Sequence, residues 1–157
     1  MRGGRGAAHA TYAEQRSLEY DTVSDRFVNF LESEIIPIAN KDANAYRITK
    51  DPSRRAVCGV SSGGIAAFSC AWFRPDLFGC VISHVGSFTN IRGGHHYPWL
   101  VRNTKRKPIK VFLQDGEGDN NKAAGHWPLA NKQMLAALEY AGYDDVAHVW
   151  GEGCHSR

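Results

Sequence analysis

The sequence lacks both long apolar runs and a strong charge bias. No stretch of its 157 residues approaches the run of about 18 apolar residues that a membrane-spanning helix needs. The formal net charge of +3 is too small to predict a nucleic-acid partner. No apolar segment follows the glycine- and arginine-rich start, so no signal peptide is visible. We therefore expect no membrane or nucleic-acid partner. The compartment stays unknown, with the cytoplasm as the default.

The sequence also lacks paired cysteines. None of its four cysteines forms a C-x-x-C pair, which argues against a zinc site or a dithiol redox centre. Three of them, Cys58, Cys70 and Cys80, lie in apolar segments, where buried free thiols are expected. The fourth, Cys154, lies in a glycine-rich stretch near the C-terminus.

The composition is that of an ordinary globular protein, with 43% hydrophobic and 22% charged residues. A chain of this length predicts one domain. Residues 1–15 are rich in glycine and arginine and show no periodicity, so we expect a flexible N-terminal segment there. Residues 16–157 form the predicted domain.

Apolar residues alternate between strand-like runs and helical spacing. The first helix is predicted over residues 23–38, with Asp21 or Thr22 as its N-cap. Residues 86–110 read as a long connection. Buried strands are predicted at 56–60, 78–85, 109–114 and 146–150, with helices after the first and third. This order predicts an α/β fold with a mostly parallel sheet flanked by helices.

The segment Gly59-Val60-Ser61-Ser62-Gly63 joins the first strand to its helix. It has the G-x-S-x-G pattern of a nucleophile elbow, with Ser61 at the central position. We expect side chains at Gly59 and Gly63 to collide where the helix starts close to the strand. The backbone N–H of Ser62 would then point toward a developing oxyanion. The alternative is a glycine-rich turn capped by serine.

Two further strand ends carry groups that could serve a nucleophilic serine. Sites in parallel α/β sheets form beyond the carboxyl ends of the strands. Asp115 or Asp119 follows the third strand and His155 follows the fourth, which gives the order serine, acid, histidine of α/β-hydrolases. Either aspartate could instead cap its loop or helix. The remaining histidines considered are interpreted as polar surface: His9, His95, His96, His126 and His148.

Seven segments together resemble one family. They are Arg16-Ser17-x-Glu19-Tyr20-Asp21, Gly59-Val60-Ser61-Ser62-Gly63-Gly64, Arg74-Pro75-Asp76-x-Phe78, Gly86-Ser87-Phe88-Thr89-Asn90-Ile91-Arg92-Gly93-Gly94, Phe112-Leu113-Gln114-Asp115-Gly116, Trp127-Pro128-Leu129-Ala130-Asn131 and Gly151-Glu152-Gly153-Cys154-His155. From about residue 16 onward the chain resembles the enterochelin-esterase-like branch of the esterase family, which are α/β-hydrolases related to feruloyl esterases.

The resemblance implies specific roles. It places the acid at Asp119 rather than Asp115, with Ser61 and His155 as its partners. It also implies that Arg16, Glu19 and Trp127 line the mouth of the substrate pocket. The chain lacks the early strands and the last helix of the family, so we expect a member truncated at both ends. Without those strands the elbow strand would be an edge, and we expect a homo-oligomer.

The sequence therefore predicts a serine carboxylesterase that acts on small or aromatic acyl esters through an acyl-enzyme. No cofactor is expected, and the partner is a small-molecule ester. The first alternative is an acyltransferase that uses the same three residues. The second is a non-catalytic remnant of the fold that acts as a binding or assembly module.

Overall fold

A four-stranded parallel sheet forms the centre of the protein. The computed structural model describes residues 12–41 and 47–155. Within them the sheet has the order β1 (Ala56–Val60), β2 (Cys80–His84), β3 (Lys110–Gly116) and β6 (Val146–Gly151). A separate antiparallel pair consists of β4 (Asn121–Lys122) and β5 (Gly125–His126). The predicted α/β fold with a mostly parallel sheet is confirmed.

Helices precede the sheet and connect its strands. Their bounds are α1 (Tyr12–Tyr20), α2 (Arg26–Phe30), a π-helical turn (Leu31–Ile35), α3 (Ile36–Ala39), α4 (Ser62–Phe73), α5 (Tyr97–Arg102) and α6 (Trp127–Tyr140). No helix among the described residues has the length and apolar character needed to cross a membrane.

One face of the sheet packs against α4 and α6 to form the core. Val81, Val111 and Leu113 alternate with less buried neighbours and point into it. Ten of the twelve residues of α4 are buried, and a helix that is apolar on all sides belongs in a protein interior. This packing fixes the end of β1, where α4 begins, relative to the ends of β2 and β3.

The opposite face of the sheet is more open. Cys58 and Val60 of β1 are exposed, and Ile82 and Phe112 of the neighbouring strands are half-buried. The expectation of buried thiols is therefore wrong for Cys58, because its side chain points away from the helices, and Cys80 is only partly buried. Among the described residues β1 is an edge strand, as the sequence predicted.

A helix that the sequence analysis did not predict, α1, precedes the one predicted over residues 23–38. Residues 12–15, assigned to a flexible segment, belong to α1, whereas residues 1–11 lie outside the described part. Ala13, Glu14 and Gln15 are strong helix formers, and the Gln15 side chain donates a hydrogen bond to Glu19 one turn later, at 2.6 Å. The helix propensity of residues 12–15 was overlooked because the segment before them is rich in glycine.

The second helical segment begins later than predicted, at Arg26. Asp25 precedes it, and neither predicted cap is used. Instead, the Thr22 hydroxyl donates to the Leu18 carbonyl at the end of α1, and Asp21 is buried. The predicted connection over 86–110 is also wrong in part, because α5 lies within it and begins with a proline in its first turn.

Candidate active site

Ser61 has a backbone conformation that is rarely seen outside glycine. Its φ is 60° and its ψ is −119°, at the junction of β1 and α4. Strained backbone of this kind persists only where the surroundings enforce it. The Ser61 N–H donates to the His84 carbonyl at 2.9 Å, and the Ser61 carbonyl accepts from the Ser87 N–H at 3.1 Å. The sharp turn projects the hydroxyl beyond the end of the strand, as a nucleophile elbow requires.

The two glycines of the elbow differ in the space around them. A Cβ at Gly59 would lie 2.0 Å from the Gly63 carbonyl oxygen, so strand and helix approach each other too closely for any side chain there. A Cβ at Gly63 would meet nothing within 4 Å. The expected collision is confirmed at Gly59 and wrong at Gly63.

Two backbone N–H groups are available at the start of α4. Those of Ser62 and Gly63 make no hydrogen bond within the described residues, as expected for the first turn of a helix. Their position directly after Ser61, at the positive end of the helix dipole, suits them to bind an anionic oxygen. The Ser62 side chain is buried and faces the carboxyl group of Asp21. Burial raises the pKa of Asp21.

Asp119 and His155 meet across the loops that follow β3 and β6. His155 Nδ1 lies 2.6 Å from Asp119 Oδ1, which also accepts the Asn120 N–H at 2.5 Å. The two loops are joined because the Gly118 N–H donates to the Gly153 carbonyl at 3.1 Å. A carboxylate in this position fixes the tautomer of the imidazole and leaves Nε2 free to accept a proton.

Asp115 lies behind Asp119 and does not hydrogen-bond to His155. It is fully buried, and it accepts hydrogen bonds from the Gly116 N–H and from Asn131 Nδ2, both at 2.7 Å. Burial, and then the adjacent Asp119 carboxyl group, raise the pKa of Asp115 to about 7. Of the two candidate acids, Asp119 is therefore the one in contact with the histidine.

A short chain of contacts connects Ser61 to His155. The Ser61 hydroxyl lies 3.4 Å from the Ser87 hydroxyl, and Trp127 Nε1 donates to Ser87 Oγ at 3.3 Å. The rings of Trp127 and His155 are nearly perpendicular, with centroids 6.0 Å apart. Within the described residues Ser61 makes no direct hydrogen bond to His155. Such bonds are often long before substrate binds.

Arg16 and Glu19 lie on the exposed surface of α1, and among the described residues neither is hydrogen-bonded to Ser61, Trp127 or His155. Glu19 helps to line a cavity of about 240 Å³ between α1 and α2, and its other lining residues are Gln15, Leu18, Arg26, Phe27 and Phe30. That cavity includes none of Ser61, Trp127 and His155. The role of Arg16 and Glu19 at the mouth of a substrate pocket stays a prediction.

The sequence analysis missed two residues of the cluster. Ser87 follows the carboxyl end of β2, so the rule that pointed to Asp119 and His155 could have found it. Asn131 lies one turn after Trp127, on the buried face of α6. A polar residue in an apolar stripe is the signal that could have identified it. Within the described ranges, no group of three or more histidine, cysteine or acidic side chains could hold a metal ion.

Solved structures with a similar fold are esterases. An enterobactin esterase from Shigella flexneri superposes with a TM-score of 0.66 at 20% identity, over 90% of this chain and 36% of that one. A ferulic acid esterase gives 0.69 at 18% identity, over 89% and 59%. A ferulic acid esterase from Anaeromyces mucronatus gives 0.59 at 21% identity, over 84% and 48%. At these identities the likeness establishes the fold.

The chain spans about a third of the length of that enterobactin esterase and about half of the two ferulic acid esterases. At the level of sequence, the profile of the Esterase family matches residues 2–156. Because this match covers nearly the whole chain, the protein belongs to the Esterase family.

Proposed function

We propose that this protein hydrolyses carboxylic esters through a serine acyl-enzyme. Ser61 is the nucleophile, His155 is the general base and acid, and Asp119 orients the histidine. Two observations together support this proposal. The first is the strained backbone of Ser61, with φ at 60°. The second is the 2.6 Å contact between Asp119 and His155 at the same edge of the sheet. A simple capped turn accounts for neither.

During the reaction one proton passes from Ser61 through His155 to the leaving alcohol. Ser61 Oγ turns away from Ser87 and attacks the ester carbonyl carbon, while its proton passes to Nε2 of His155. Asp119 accepts the hydrogen bond from Nδ1 and stabilises the imidazolium. The same proton then passes to the alcohol that leaves. Water, deprotonated by His155, attacks the acyl-enzyme, releases the acid and restores Ser61.

The negative charge that develops on the carbonyl oxygen needs donors that are already in place. The N–H groups of Ser62 and Gly63 have no partner within the described residues and lie next to Ser61. One donor of this kind typically contributes a factor of about 10² to 10³ in kcat. The helix dipole of α4 adds to their effect because its positive end faces the oxyanion.

The names of the relatives and the place of Trp127 support a choice of substrate class. The enterobactin esterase was crystallised with a dihydroxybenzoyl compound, and the other two relatives are ferulic acid esterases. All of these names point to aromatic acyl groups. In this chain Trp127 is buried beside His155 and Ser87, which places an aromatic ring next to the histidine. We therefore propose small or aromatic acyl esters as substrates.

A fluorophosphonate probe tests the nucleophile. We expect it to label wild-type protein and the matched control Ser62→Ala, which keeps the backbone N–H, but not Ser61→Ala. Hydrolysis of short-chain p-nitrophenyl esters should fall by a factor on the order of 10⁶ in Ser61→Ala, the usual cost of losing such a nucleophile. Equal labelling of the two variants would refute the assignment.

The same assay separates the other two functions considered. Adding a sugar or lipid alcohol would divert the acyl group into a new ester if the protein is an acyltransferase. A non-catalytic binding module would not react with the probe at all. Comparing feruloyl with acetyl esters then tests the preference for aromatic acyl groups.

A further inference from the structure

Two carboxyl groups lie side by side beneath His155, and both are buried. Asp115 and the side chain of Asp119 have no exposed surface, and the two carboxyl groups are within hydrogen-bonding reach of each other. Two ionised carboxylates in contact would repel each other and would both lose their hydration. A single proton held between them removes both penalties.

One oxygen of this pair lacks a donor. Asp119 Oδ1 accepts from Asn120 and faces His155 Nδ1, whereas Asp119 Oδ2 is buried with no hydrogen-bond partner among the described residues. Buried acceptors are nearly always satisfied, so an orphan of this kind needs an explanation. A proton on the adjacent Asp115 would supply the missing donor.

The surroundings assign the proton to Asp115. An ionised Asp119 binds His155 Nδ1–H more strongly and stabilises the imidazolium, whereas the groups in contact with Asp115 are the neutral amides of Gly116 and Asn131 and the acidic Asp119. The titratable groups that face it are therefore Asp119, from the loop after β3, and beyond it His155, from the loop after β6. From α6 it meets the neutral Asn131 side chain, which also donates to the Gly86 carbonyl at 2.9 Å. Burial and Asp119 raise the pKa of Asp115 to about 7.

We propose that Asp115 is a positioning residue that, in its protonated form, donates a hydrogen bond to Asp119 Oδ2. This bond keeps the Asp119 carboxylate turned toward His155. The catalytic part of the proposal rests on the proposed function, in which Asp119 orients the histidine. The protonation of Asp115 rests on burial and contact alone.

This arrangement shapes the dependence of the rate on pH. The rate rises with pH while His155 loses its proton, because only neutral imidazole acts as a base. When Asp115 ionises at higher pH, a second negative charge appears beside Asp119. The ionisation of Asp115 removes the hydrogen bond to Oδ2, so Asp119 is no longer held toward His155 and the rate falls. The wild-type profile of kcat/KM is therefore a bell, and Asp115 sets its alkaline side.

NMR of the protein labelled at the aspartate side-chain carboxyl carbons tests the protonation directly. We expect one aspartate to titrate near neutral pH, and its signal to be absent from Asp115→Asn. If that variant does not fold, Asp119→Asn assigns the signal, because losing the neighbouring charge moves the titration to lower pH. A wild-type spectrum in which every aspartate is ionised by pH 5 overturns the proposal.

Kinetics test the positioning role. Asp115→Asn cannot ionise but still offers an N–H donor to Asp119, whereas Asp115→Ala offers none. We expect Asp115→Ala to lose at least tenfold more kcat than Asp115→Asn at an unchanged KM, and Asp115→Asn to lose the alkaline fall in rate. Equal losses, or an unchanged bell in Asp115→Asn, overturn the role. The NMR titration does not need turnover, so a failure of the esterase proposal itself is recognised separately, by absent probe labelling at Ser61.

Discussion

The close approach of β1 and α4 at the elbow makes a quantitative prediction at Gly59. A methyl group there would lie 2.0 Å from the Gly63 carbonyl oxygen, against 3.4–4 Å for an ordinary contact, so strand and helix would have to separate by about 1.4 Å. Both partners are backbone, and α4 is buried along most of its length, so neither can yield easily. Overpacking costs about 1–3 kcal/mol, and we expect Gly59→Ala to lie near the upper value, about 3 kcal/mol.

Thermal unfolding measures this cost. In a protein of this size 1 kcal/mol corresponds to about 2–4 °C in Tm, so Gly59→Ala should lower Tm by about 6–12 °C. Gly63→Ala is the matched control, because it adds the same methyl group in open space. Since alanine favours helix by up to about 1 kcal/mol over glycine, its Tm should be unchanged or slightly higher. Probe labelling of Ser61 should slow in Gly59→Ala and persist in Gly63→Ala. A Gly59→Ala protein that melts within about 2 °C of wild type would refute the geometry of the elbow.

Three further predictions concern the acid pair and the open edge of the sheet. Asp119→Asn should lower the rate at neutral pH by a factor on the order of 10⁴, because the correct histidine tautomer is lost. This loss should exceed that of Asp115→Asn, and the reverse ranking would move the acid to Asp115. The pKa of Asp115 is raised to about 7 in the folded state from 3.8, so its contribution to stability is complete below pH 3.8 and is lost as the pH rises through 7. The free energies of unfolding of wild type and Asp115→Asn, measured by denaturant titration, should therefore diverge between pH 4 and 7. The difference should change by at most about 1.4 kcal/mol per pH unit in favour of the variant, and a constant difference would contradict the raised pKa of Asp115. Finally, apolar side chains are exposed along the edge strand β1 and along α3, among them Val60 and Ile38. They predict a homodimer or larger species at micromolar concentration. Sedimentation velocity that finds a compact monomer at that concentration would contradict this prediction.

The sequence by itself determined the order of the four sheet strands and the chemistry of the elbow. Strand-like runs, glycines at 59 and 63, and serine at 61 are local signals, because the turn that they encode involves neighbours in the chain. The rule that sites form at the carboxyl ends of parallel strands was enough to propose His155 and two candidate acids. It could not choose between Asp115 and Asp119, since both follow the apolar run of the third strand and lie only four residues apart.

The tertiary structure decided which groups meet. Asp119 contacts His155 because the loops after β3 and β6 are hydrogen-bonded to each other, while Asp115 remains in the strand and meets Asn131 of α6. Local patterns do not encode such contacts, because they depend on the register of adjacent strands and on the helix that covers them. The same reason explains why Cys58 is exposed although its strand is apolar. Exposure depends on what covers a face of the sheet, and the residues of the strand do not specify that cover.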